Sequence, residues 1–109
     1  MPFKGNEGKV ISFKKAQSYI GGHLKSRQFA LSSKSKKIKG GFYGKKILLK
    51  ILSQPNCVGI RYYHALNAKK QPTIVLVGED RKGKLLTKLF GNDGPLCPPV
   101  CGNFKAIGL

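Results

Sequence analysis

Residues 44–78, GKKILLKILSQPNCVGIRYYHALNAKKQPTIVLVG, decide how the chain folds. Gly44 opens a helical pattern in which Ile47, Leu48, Ile51 and Leu52 share an apolar face while Lys46 and Lys50 project oppositely, one turn apart; Pro55 stops it. Val58, Ile60 and Tyr62 then alternate with Gly59, Arg61 and Tyr63, a period of two in β-favouring residues that reads as a strand. A basic turn, Asn67 to Gln71, separates this run from Thr73 to Val77. That second run is almost continuously apolar and β-branched, the pattern of a strand covered on both faces in the middle of a small sheet. A hairpin is the economical pairing. The expected class is therefore α+β: a small antiparallel sheet with its hairpin at about 58–78, packed by one or two amphipathic helices, one of them at 45–53.

Working outward, Glu79 to Lys84 contains Gly83 and reads as another turn, and Lys84 to Phe90 as a third strand or a short helix. Upstream, residues 1–11 form an irregular lead-in with Gly5, Asn6 and Gly8. Ser12 is placed to cap a helix whose buried stripe is Phe13, Ala16, Ile20 and Leu24, with Lys14, Lys15, Ser18 and Lys25 on the other side. Gly21 and Gly22 each cost about 1 kcal/mol against alanine in a helix interior, which predicts an end near Ile20. The 109 residues fit a single domain, with a mobile basic segment expected at 30–41. No apolar run has the length of a signal peptide or a membrane span, so the expected location is the cytoplasm.

Charge is the strongest functional signal. Lys and Arg number 21 against four Asp and Glu, a formal net charge of +17. Solubility needs far less and usually mixes both signs, whereas such a field attracts polyanions, nucleic acid being the commonest. The imbalance is uneven: residues 1–50 carry 13 basic and one acidic side chain, a net +12, against +5 for the remainder. Lys34, Lys36, Lys37 and Lys39 form the densest run, read as a phosphate-contacting arm or, more plainly, a hydrated linker. Lys45, Lys46 and Lys50 continue that surface, with Arg61, Lys69, Lys70, Arg81 and Lys82 as secondary contacts. Exposed aromatics among cations stack bases. Adjacent tyrosines in a strand point to opposite faces, so Tyr62 is assigned to the core and Tyr63 outward. The resulting expectation is a non-enzymatic RNA- or DNA-binding protein. The alternative is an interaction or assembly module docking on an acidic partner in a larger complex; an anionic membrane surface ranks third.

Catalytic chemistry finds little support. The four carboxylates, Glu7, Glu79, Asp80 and Asp93, all sit in turn-like contexts rather than as a paired acid and base. Cys57 and His64 are seven residues apart on one strand, roughly 20 Å or more in an extended chain. Neither a P-loop nor a strand-linked G-x-G-x-x-G is present. Cys97 and Cys101, in PLCPPVCGN, with Cys57 and either His64 or His23, reach the four ligands zinc requires, but Pro98 and Pro99 restrict how the thiolates turn. A redox pair is a further reading. Ordinary thiols in a rigid tail are preferred to both, and no cofactor or metal is expected.

Four motifs stand together in order: GNEG near the start, FYGKKILLKILSQPNCVGIRYYHAL, TIVLVGED, and LCPPVCG at the end. The chain resembles a family of small uncharacterised Bacteroidetes proteins that share a GNEG start, an FxGxxIL helix opening, a GCxGIRxY strand and a CPxxC tail. The resemblance spans most of the chain and implies a single domain; it carries over no catalytic residues. Two departures stand out. Members of that family tend to be acidic, whereas Lys9, Lys14, Lys15, Lys69, Lys70, Arg81, Lys82 and Lys84 surround the matching motifs here, and Asn56 stands where the pattern has glycine before Cys57.

Overall fold

The computed structural model describes residues 3–26 and 38–108. In chain order the elements are helix α1 (Phe13–Lys25), strand β1 (Gly40–Gly41), helix α2 (Lys45–Leu52), strands β2 (Cys57–Leu66), β3 (Pro72–Asp80), β4 (Leu85–Gly91) and β5 (Leu96–Cys97), and a 3-10 turn (Phe104–Ile107). The strands form two antiparallel sheets, β2-β3-β4 and β1-β5, so the class is α+β as expected. The chain divides into two compact units: Tyr43–Gly94 with the lead-in through Gly8, and Lys9–Phe42 with Pro95–Leu109.

In the first unit the hairpin forms with the anticipated turn, Leu66 opposite Pro72 and Tyr62 opposite Leu76. β3 is the central strand, which explains its apolar run: Leu76, Val77, Gly78 and Glu79 are all buried. Alternation places Ile60, Tyr62 and His64 on one face with Leu76 and Gly78, and Arg61 and Tyr63 on the other with Val77 and Glu79. Helix α2 lies on the first of these faces. Its Ile47 and Ile51 approach so closely that a Cβ at Gly91 would stand 3.2 Å from Ile51 and 3.3 Å from Ile47. Gly78 faces the end of the same helix, where a Cβ would come within 2.8 Å of the Gln54 amide nitrogen and 3.0 Å of Cys57 Sγ. Ile51 and Val77 are fully buried on opposite faces of the sheet, each burial stabilising by roughly 1.5–3 kcal/mol. The Tyr43 hydroxyl secures the chain ahead of α2 by donating to the Ile74 carbonyl at 2.9 Å.

Two expectations are corrected in this unit, and one open alternative is resolved. Tyr62 is not core: it is 60% exposed. An eight-residue helix is only about 12 Å long, against roughly 33 Å for a ten-residue strand, so α2 leaves Tyr62, His64 and Leu66 uncovered. Glu79 and Asp80 belong to β3 rather than to the turn, because Asp80 Oδ1 accepts from the backbone N–H groups of Lys82 and Lys84 and tightens the reversal to the residues beyond it. Of the two readings of 84–90, the strand is the one formed. Its register with β3 shifts between Val77 and Gly78, whose partners are Phe90 and Leu86.

In the second unit Ser12 caps α1 as expected, its Oγ accepting from Lys15 N–H at 3.0 Å. The half-buried stripe is Ala16, Gln17, Ile20, Gly21 and Leu24. Phe13, predicted to belong to it, is 61% exposed, because the packing begins a turn later where Gln17 Nε2 donates to the Ile107 carbonyl. The helix also runs on to Lys25 rather than ending near Ile20. Two glycines cost about 2 kcal/mol there, which the caps at Ser12 and Ser26 and the partial burial of Ile20 and Leu24 offset. Gly40 and Gly41, read as part of a loop, instead pair with Cys97 and Leu96. The cysteine reading changes most. Cys97 and Cys101 form a disulfide with their Cα atoms 4.6 Å apart, whereas plain thiols were expected. Val100 N–H donates to the Leu96 carbonyl, a turn that folds Cys101 back over Cys97 despite the intervening prolines.

Candidate nucleic-acid interface

The few carboxylates are largely consumed inside the fold. Arg61 Nε and Nη2 donate to the two oxygens of Glu79 at 2.6 and 2.9 Å, and Glu79 is only 8% exposed. That bond pushes the Arg61 guanidinium above its ordinary pKa, so it stays charged but is already paired. The Phe3 ring lies 5.5 Å from the same guanidinium, and Phe3 N–H donates to the Arg81 carbonyl. Glu7 accepts from the backbone N–H groups of Lys4 and Gly5, bonds that hold its carboxyl below the usual carboxylate range. Asp80 closes the β3–β4 turn. Glu7, Glu79 and Asp80 all border one open cleft of about 560 Å³ between the lead-in and β2, engaged by these internal partners.

Cations, by contrast, face outward. Lys45, Lys46 and Lys50 are exposed along α2, together with Leu49 and Leu52. The helix is electrostatically unfavourable by itself. Its N-terminal amides carry the positive end of the helix dipole, its first turn has no acidic residue, and Gly44 supplies no side-chain cap. Lys45 and Lys46 add charge of the same sign there, and Lys46 and Lys50 repel at i, i+4 by a few tenths of a kcal/mol.

Within the first unit the remaining expected contacts are spread over both ends of β3 and the sheet face opposite α2. Lys69 and Lys70 sit in the β2–β3 turn, where the Asn67 side chain accepts from the backbone N–H groups of Lys69 and Gln71, and Lys70 adopts φ +65°. Arg81 and Lys82 occupy the turn at the other end of β3, roughly 30 Å away along that strand. Arg61 and Tyr63 lie on the sheet face opposite α2. Lys39 belongs to the second unit, where its N–H donates to the Cys97 carbonyl at 2.6 Å. Lys34, Lys36 and Lys37 lie outside the described residues, as does most of the anticipated basic arm at 30–41.

Sequence reasoning missed Tyr62 and His64 as surface groups. Their rings meet edge to face at 5.8 Å on the sheet face that also carries α2. The signal was the shortness of the helix relative to the strand it covers. Among the described residues, no three His, Cys, Asp or Glu side chains gather where a metal ion would sit. Also among these residues, no helix is long and apolar enough to cross a membrane. The chain matches no protein-family model, no curated protein and no solved structure.

Proposed function

We propose that the protein binds RNA or DNA without catalysis, in the cytoplasm, with α2 as the principal contact. The observation that carries this reading is the uncapped, acid-free N-terminus of α2, where Lys45 and Lys46 add to the dipole. A phosphate there accepts from orphan amides and relieves the repulsion among Lys45, Lys46 and Lys50, so phosphate binding and helix stability reinforce one another. Tyr62 and His64, exposed on the same sheet face, offer rings for an unpaired base. The flanking turns with Lys69, Lys70, Arg81 and Lys82 add long-range attraction rather than a shaped site. Fluorescence anisotropy with mixed-sequence single- and double-stranded oligonucleotides across a salt series tests the reading. A steep log–log dependence is expected, and absence of binding in moderate salt overturns it.

A second reading, docking on an acidic protein partner, draws support from Leu49 and Leu52, 50% and 43% exposed on the helix that carries the lysines. Apolar side chains interspersed with cations suit a protein surface better than a phosphate backbone. Saturable binding to one acidic protein, with no affinity for oligonucleotides, selects it.

A further inference from the structure

Cys97 and Cys101 are unequal partners in their disulfide. Cys97 is 7% exposed and lies in β5, with its carbonyl bonded by Lys39 N–H and its backbone paired with Gly40. Cys101 follows the turn closed by Val100, sits on irregular backbone and is only half-buried. Both cysteines line an open, largely apolar cleft of about 390 Å³, whose walls include Gly40, Gly41, Phe42 and Val100, with Lys39 beside them. Phe42 and Val100 are 62% and 53% exposed, although nothing in a plain structural staple calls for a hydrophobic cleft at the bond. Gly40 brings no side chain to this wall, and a Cβ there would meet nothing within 4 Å.

We propose that this pair is a thiol–disulfide exchange site whose substrate is an anionic, peptide-sized thiol. The substrate thiolate attacks Sγ of Cys101, the more exposed residue of the pair; the new S–S bond joins substrate and Cys101, and the Cys97 sulfur leaves with the bonding pair. A second substrate thiolate then attacks the substrate sulfur of that mixed disulfide, releasing Cys101 as thiolate. Two thiols become one disulfide, the protein disulfide becomes two thiols, and the two protons given up by the attacking thiols are available to Cys97 and Cys101. In the reverse direction the protein dithiol is oxidised by a small disulfide. The +17 surface raises the local concentration of an anionic thiol, which fits a carboxylate-bearing peptide thiol better than a neutral one.

The test uses the intact native chain in glutathione buffers of varied ratio, with acid quench, alkylation and mass spectrometry of the peptide containing both cysteines. Reversible interconversion of disulfide and dithiol across the series is expected. In addition, Cys97→Ser should form a glutathione adduct on Cys101 about tenfold faster than Cys101→Ser forms one on Cys97. The proposal fails if the folded protein keeps the disulfide in excess reduced glutathione, if it stays a dithiol in oxidised glutathione, or if the adduct forms faster on Cys97. The buffer titration needs no variant, so poor folding of either serine mutant leaves the decision intact.

Discussion

Arg61 and Glu79, eighteen residues apart in sequence, meet across the hairpin as a two-pronged ion pair with Nε–Oε1 at 2.6 Å. The register explains it: Arg61 is opposite Val77, and Glu79 is the next residue along on the same face. One of the chain's expected anion contacts is thereby committed to holding a buried carboxylate. It follows that Arg61→Ala lowers the thermal unfolding midpoint but changes the salt dependence of oligonucleotide binding by less than one counterion. The triple change Lys45→Ala, Lys46→Ala and Lys50→Ala does the reverse, reducing the log–log slope by about two to three. Equal effects of the two variants on the slope would remove α2 from its assigned role.

Gly78 faces the end of α2 with no room for a side chain. Gly78→Ala brings a methyl to 2.8 Å from the Gln54 amide nitrogen and 3.0 Å from Cys57 Sγ, and should cost about 1–3 kcal/mol in urea denaturation. A Cβ at Gly59, on the opposite face, meets nothing within 4 Å, so Gly59→Ala serves as the control with little loss. Equal losses at both positions would refute the close approach of α2 to Gly78.

Tyr43 anchors the chain ahead of α2 through one hydrogen bond to Ile74, a carbonyl that also accepts from Asn92. Tyr43→Phe keeps the ring and removes the donor. The expected loss is about 0.5–1.5 kcal/mol, read by denaturant titration, while Ile51→Ala, which empties the space between helix and sheet, costs about 2–5 kcal/mol. A reversal of that order would place the unit's stability elsewhere.

Glu7 titrates below its ordinary value because the Lys4 backbone N–H, followed by other backbone donors, stabilises the carboxylate. Since the folded value is depressed, this contribution is complete above the ordinary carboxylate pKa and disappears as pH falls through the lowered one. Carboxyl NMR should record a Glu7 midpoint below that of an ordinary glutamate, and Glu7→Gln should remove the corresponding acid-induced change at the Lys4 and Gly5 amides. A midpoint at or above the ordinary value would show that the lead-in is not held in this form.

Much of the first unit was legible because its cues are local. The apolar face of 45–52, the stop at Pro55, the alternation after Val58 and the Asn67–Gln71 turn each follow from neighbouring residues, and together they place β3 centrally. The site was less legible. The lysines of α2 stand out by type, and the two basic turns were read on either side of the second strand, but that Arg61 is paired and that Tyr62 is exposed depend on registers and lengths beyond any short window.

By itself the sequence determined the α+β class, the hairpin and its register-setting turn, the Ser12 cap and the excess of positive charge, because periodicity, turn chemistry and composition act over a few residues at a time. Only the tertiary structure decided which face α2 covers, which carboxylates are consumed internally and that Cys97 meets Cys101. Those outcomes rest on how far a short helix reaches across a longer strand and on where the chain turns back, distances that no local pattern encodes.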